Sequence, residues 1–431
     1  MKSVIAWGLV LVLLAGCKSN ADKASFEKAA SELPKAREAA VDAGLAIDDS
    51  TYRPPQFAEG DNAAPHYRRA FAIWQGNPRS KRDAQVAEWG LVVTGAAATD
   101  FDRYETILDH VIAGTLKPGC DFGRDFSDGF DIPYPEFADM KAMAKALAAR
   151  ALVSARQGNT GEAKRDLVAI QKLGSHAGKE QILIGQLVSI AISKIGLKAV
   201  ERILGDLGPR PALLGVADEV LAHVPKLSFL QSVRGEIALG TVSIRKIRSA
   251  ARIKELAGTD APETSGTEAV AQLSARIDKA IEGIDQQTIN AAFEARHLQY
   301  WVRAFREGRD LDNEAFGEML DKMTAEADTA DATYTLNRML NPVYGKAGKA
   351  MRALDESCNA FKAGVKILRS GGPKKMSQTE VKSLLDANGL ELERTGTGFI
   401  VASRTFLPMM VNGKPAAKAT YGFTYPYRGK Q

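Results

Sequence analysis

Histidine and cysteine are scarce in this 431-residue chain, at five and three residues. No two of the histidines (66, 110, 176, 223 and 297) lie close enough in sequence to suggest a metal pair. Cys120 and Cys358, far apart and without histidines beside them, do not make a zinc site. No metal or cofactor is expected. His-Glu-x-x-His, Gly-x-Ser-x-Gly and P-loop patterns are missing, which removes several hydrolase and nucleotidase classes. An excess of one charge is missing as well: 57 basic residues face 52 acidic ones. That is a mixed, solvated surface, and no nucleic-acid partner is expected. Nor does any stretch stay apolar for the roughly 18 residues of a spanning helix. The nearest, 182–197, is broken by Gln186 and Lys194.

What is present is concentrated at the amino terminus. Lys2 precedes 14 uncharged residues, Ser3 to Gly16. This run is too short to span a bilayer and fits the apolar core of a secretory signal, residues 1–16. It ends in Leu14-Ala15-Gly16-Cys17. Small residues there let the backbone enter a protease groove, and the Cys17 sulfur can carry a diacylglycerol. The pattern resembles the lipobox of bacterial lipoproteins. The resemblance implies that a signal peptidase reads Leu14, Ala15 and Gly16, cuts before Cys17, and leaves a lipidated terminus. One acyl chain, at roughly 0.8 kcal/mol per buried methylene, anchors only marginally, so two or more are implied. Lys18, where an aspartate would favour inner-membrane retention, implies the outer membrane with the body facing the periplasm. The cell surface and the inner membrane stay open. In that oxidising compartment Cys120 and Cys358 either pair as a disulfide or stay as two buried thiols.

The rest reads as helix. Residues 17–60 carry the anchor, a first helix interrupted by Pro34, and a Pro/Gly/Asp loop that serves as a tether. Residues 61–257 form a helical-repeat domain. Within it, a stripe from Met140 to Ala155 stops at Gly158-Asn159, and a second helix opens at Thr160. Over 137–175 this resembles one tetratricopeptide hairpin, without the Trp and Tyr of the full pattern. Residues 258–266 are a linker by composition. Residues 267–371 hold long helices, with a seam from Val270 to Phe305 at a mean step of about 3.5 residues, as in coiled coils. Residues 375–431 carry a capping box at Ser377 and Glu380, three strands, and a hairpin signal at Asn412-Gly413. The fold class expected is mainly α: a helical-repeat, tetratricopeptide-like body with long helical hairpins and a small C-terminal α+β module.

Three constellations carry chemistry if any do. Asp121, Asp125, Asp128, Asp131 and Glu136 fail the calcium-loop spacing in both registers. A solvated loop anchored by Phe122, Phe126 and Phe130 is the expectation. Glu294 and His297 form a single Glu-x-x-His step, where di-iron bundles need two, and are expected on a half-exposed polar edge. Tyr421, Phe423, Tyr425 and Tyr427 alternate along the last strand, as a docking face or a platform for glycan rings. Stacked helical hairpins expose a concave face that suits protein binding, so the expectation is a non-enzymatic envelope scaffold or adaptor that binds a protein partner on a helical-repeat surface. A glycan- or peptidoglycan-binding lipoprotein is the alternative, and a metal-dependent envelope enzyme comes third.

Overall fold

Pro34 splits the amino-terminal helix into α1 (Ser19–Ser31) and α2 (Leu33–Asp42). The proline sits in the first turn of α2, where a missing N–H costs no helical bond. The computed structural model describes residues 19–52, 55–94, 101–247, 281–328, 332–334, 342–395, 398–404, 410–411, 414–415 and 420–424. The expected signal segment 1–16, Cys17, and the expected linker at 258–266 lie outside them.

Three helices follow, α3 (Ala64–Gln75), α4 (Arg79–Thr94) and α5 (Glu105–Thr115). Trp74 stacks on Trp89 at 5.3 Å, and Tyr104 meets Trp89 edge-on, so aromatic rings hold this group together. Next come α6 (Glu136–Arg156) and α7 (Thr160–Ala177). Gly158 adopts φ 88°, and Asn159 N donates to Ser154 O while Gly158 N donates to Ala155 O. That is the paired C-terminal cap which turns one helix back on the next, as the Gly-Asn signal predicts. Alanines on almost every side of α6, with Ala144, Ala148 and Ala151 fully buried, let its neighbours approach closely.

Helix α8 (Leu183–Leu207) is long and apolar enough to cross a membrane, yet 67% of its most apolar stretch is buried inside the fold. It acts here as a core helix. Helices α9 (Pro211–Ala222) and α10 (Phe229–Arg245) complete this layer. The long helices are α11 (Gln286–Gly308), α12 (Asn313–Asp328) and α13 (Pro342–Arg369), with α12 and α13 packed as a pair.

The seam expected from Val270 to Phe305 is not one continuous helix. The described part breaks at residues 282–285, and Asp285 caps a new start by accepting from Thr288 N at 2.9 Å. Helix α11 is moreover buried nearly all round, because α1, α2, α10 and α12 each cover part of it. A two-sided coiled-coil seam does not describe such a helix. The polar edge expected at Glu294 and His297 is overturned for the same reason. Both residues are 2% exposed. Glu294 accepts from Arg37 of α2 at 2.8 and 3.0 Å and from Arg245 of α10 at 2.7 and 3.0 Å. The His297 Nε2 donates to Ile237 O at 3.2 Å.

The amino-terminal segment, expected to include a tether, is a packed layer as far as residue 52. Phe26 meets Phe293 edge-on at 5.3 Å, and Ala36, Ala40, Leu45 and Tyr52 are buried. At the other end, α14 (Gln378–Asp386) opens with the reciprocal Ser377–Glu380 capping box. An antiparallel sheet follows, ordered β1 (Leu390–Arg394), β2 (Gly398–Ser403), β5 (Thr420–Thr424). Strands β3 (Met410–Val411) and β4 (Lys414–Pro415) pair on either side of the Asn412-Gly413 signal. Leu390, Phe399 and Val401 belong to the same buried cluster as α6 and α8. The small α+β module therefore shares the core of the helical body.

Removing both arginines strands the buried charge of Glu294, which costs about 3–5 kcal/mol. Arg37→Ala combined with Arg245→Ala is expected to lower the urea midpoint accordingly, with Arg37→Ala alone, at the more exposed side chain, costing less. Equal midpoints for the double variant and the parent would show that the network does not hold the layers together.

Candidate functional site

One buried cation shapes the irregular segment 118–136. The Arg124 Nε donates to both oxygens of Glu180 at 2.7 and 2.9 Å. Its Nη1 donates to Pro133 O and its Nη2 to Glu136 Oε2, each at 2.8 Å. The guanidinium lies 4.6 Å from the Tyr134 ring centre, and that ring stacks on Phe137. Burial works against the charge of Arg124, but Glu180 and Glu136 more than offset it and hold its pKa up. For Glu180 burial wins, and its carboxyl is raised in spite of the arginine.

In front of Arg124 opens a cleft of about 330 Å³. Asp49, Ser50, Tyr52 and Gln56 line one side, and Asp121, Gly123, Asp125 and Phe126 the other. Tyr52 and Phe126 meet edge-on at 4.9 Å and form an aromatic wall, and Tyr52 Oη donates to the carbonyl of Glu180. Asp121 accepts from Gly123 N at 2.7 Å, and Asp125 accepts from Ser127 N at 2.9 Å to cap the 3-10 turn Phe126–Asp131. Hydrogen bonds from Ser127 hold the Asp125 carboxyl below its usual range. Three carboxylates thus line an opening whose arginine is neutralised by Glu180 and Glu136.

The 3-10 turn behind the cleft rests on α10. Gly129, at φ 60°, sits so close that an added Cβ would lie 2.3 Å from Ser243 Oγ, and Phe130 N donates to that oxygen at 2.8 Å. Lys246 pairs with Asp128 at 3.1 Å. Ser243 and Lys246 have the Ser-x-x-Lys spacing of some hydrolases, as do Ser25 and Lys28. With Ser243 Oγ bonded to Phe130 N and Lys246 paired with Asp128, they are not arranged as nucleophile and base.

The acidic residues singled out in sequence do not converge on one point. Asp121 and Asp125 serve backbone donors, Asp128 meets Lys246, and Glu136 meets Arg124. Among the described residues no group of three or more His, Cys, Asp or Glu is placed to hold a metal ion. Phe122 and Phe126 are buried and Phe130 packs against the core, as the anchored-loop reading expects. Cys120 is buried and Cys358 half-buried, and both are free thiols rather than a disulfide. Burial pushes the Cys358 thiol up to about 12 and raises that of Cys120 further. In the last strand, Tyr421 pairs in register with Val401 and Phe423 with Phe399. Tyr425 and Tyr427 lie outside the described residues, as do Leu14, Ala15, Gly16 and Cys17. Sequence reading passed over Arg124, Tyr52 and Glu180. A single arginine inside Asp121-Phe122-Gly123-Arg124-Asp125-Phe126 was the available signal.

Two buried groups titrate with opposite effects on stability. The His176 Nε2 donates to Lys117 O at 3.1 Å, so its Nδ1 accepts from Tyr67 Oη at 2.7 Å. Burial keeps this imidazole neutral and lowers its pKa to about 4. Glu236 accepts from Leu183 N at 2.8 Å, and burial raises its pKa to about 7.

Truncating Arg124 strands Glu180. Arg124→Met is expected to cost about 3–5 kcal/mol and to speed amide exchange across 118–135 ahead of the rest of the chain. Uniform exchange would count against the arginine as the organiser of this loop. A folded-state pKa below the unfolded one, as for His176, gives stability that is lost as pH falls from about 6.5 to about 4. One raised above it, as for Glu236, gives stability that is lost as pH rises from 4.5 to about 7. Relative to the parent, Glu236→Gln is therefore expected to gain up to about 3 kcal/mol between pH 4.5 and 7. His176→Gln is expected to lose its disadvantage toward pH 4. Parallel pH profiles for parent and variants would show that neither group is linked to folding.

No protein-family model, curated protein or solved structure matches this chain.

Proposed function

We propose that the chain is a lipid-anchored protein of the bacterial envelope that acts as a non-enzymatic scaffold, receiving a basic side chain of a protein partner in the Asp121–Tyr52 cleft. The observation that carries this reading is the pairing of Arg124. Glu180 and Glu136 take up its charge from within, while Asp49, Asp121 and Asp125 line the opening. A lysine or arginine entering there meets the carboxylates of the lining, the chemistry that holds cations at protein interfaces. The Leu14-Ala15-Gly16-Cys17 pattern supports attachment through the Cys17 sulfur, with the outer membrane facing the periplasm as the compartment.

The test is site-specific photocrosslinking in cells, with the probe at Gln56 on the exposed lip of the cleft. A discrete protein adduct is expected at 56 and not from a probe at exposed Lys382 on α14. Asp49→Asn combined with Asp121→Asn is expected to weaken the adduct at least tenfold, and Cys17→Ser to move the chain from the membrane to the soluble fraction. The same adducts from both probe positions, or an adduct indifferent to the two aspartates, would remove the cleft from the proposal. A Cys17→Ser chain that still sediments with membranes would remove the anchor.

A further inference from the structure

The amino-terminal helix leaves almost no slack between the expected lipid and the folded body. This inference rests on the proposal that Cys17 is acylated. Only Lys18 separates Cys17 from Ser19, where α1 begins. Two residues of extended chain span at most about 7 Å. From Ser19 to Phe26 the helix rises about 10 Å at 1.5 Å per residue. Phe26 is fully buried and fixed edge-on to Phe293. It belongs to a small core of its own with Ile244, Ile247 and Ile289. One end of the body, where α10 finishes and α11 begins, therefore lies within about 20 Å of the acylated sulfur. The next link is polar and equally short: Glu32 accepts from Arg296 at 2.7 Å and from Gln299 at 2.9 Å. With α1 held at Phe26 and the residue after its last turn held at Glu32, it cannot serve as a flexible stalk.

We infer that this end of the molecule, marked by Lys23, Lys246 and Asp285, is a membrane-facing surface that rests against the phospholipid headgroups in one fixed orientation. The partner is a lipid surface, and the orientation is imposed by tether length. Electrostatic attraction does not impose it, because the charges here are mixed: Lys23 lies beside Glu27 and Lys246 beside Asp128. The contact is accordingly expected to survive raised salt.

The experiment uses the full acylated chain in vesicles of phosphatidylethanolamine and phosphatidylglycerol, some lipids carrying a headgroup nitroxide. A fluorophore is placed at Lys246→Cys or, for comparison, at Asp218→Cys on α9, which packs on α7, α8 and α13. Cys358→Ser removes the half-buried thiol. Quenching at 246 is expected to exceed that at 218 at least threefold and to persist at 0.5 M salt. Inserting twenty Gly/Ser residues between Lys18 and Ser19 should abolish the difference while the protein still floats with the vesicles. Equal quenching at both positions in vesicle-bound protein, or a difference untouched by the insertion, overturns the fixed orientation and leaves the anchor standing. A Cys17→Ser chain, free of acyl groups, that still floats with the vesicles overturns the anchor, and the orientation with it.

Discussion

A single carboxylate, Glu294, receives four hydrogen bonds from two arginines that lie 257 and 49 residues before it in the sequence. Arg37 comes from the second helix and Arg245 from the end of α10. Burial alone would push this carboxyl up, but the two guanidinium groups win and hold it below its usual range. Arg245 also meets Asp48, so two cations and two anions close the set. A buried set of this kind adds little stability compared with an apolar core of the same shape. What it adds is direction. Phe26 can slide along an apolar face, whereas Arg37 forked onto Glu294 fixes how far α2 advances along α11. The position of the amino terminus follows from that register.

Arg124 repeats the device on the other side of α10. There a loop of aspartates, glycines and phenylalanines has only the short 3-10 turn Phe126–Asp131 of its own, so the rest of its backbone is tied down by side chains. Arg124 bonds the loop to Glu180, and Ser243 bonds it to α10. Both networks bear on α10, one through Arg245 and one through Ser243 and Lys246. The cleft and the amino-terminal layer are thus mechanically one unit. Asp48 joins Arg245, and the next residues in the chain, Asp49 and Ser50, line the cleft.

Helix boundaries were legible because they depend on local chemistry. The Gly158-Asn159 cap, the Ser377–Glu380 box and the Pro34 break each act within one turn, and each lies where the sequence places it. Burial around α11 was not legible. A period of 3.5 reports which residues share one face, and it is silent when three other helices cover the remaining faces. Glu294 and His297 read as an exposed edge because their partners lie up to 257 residues away, and no local pattern encodes a pairing at that range. The same holds for Arg124 and Glu180, 56 residues apart. Charged residues default to the surface in any sequence reading, so buried ion pairs are what it misses first.

The cleft and the short tether acquire a joint meaning through α10. Its last turns, from Leu239 to Lys246, touch Gly129 and Asp128 behind the cleft. Ile244 and Ile247 at the same end belong to the small core around Phe26. If Cys17 carries the lipid, the cleft stands a few helical turns from the headgroups and cannot swing away from them. A partner's basic residue then has to be presented close to the bilayer. A freely diffusing partner gains nothing from that placement, because it can meet the cleft at any height. A partner held at the same membrane gains effective concentration from it, since both reactants are confined to one thin layer. Under the proposed anchoring, the short tether would favour membrane-associated partners over soluble ones, through geometry and without any contact of its own.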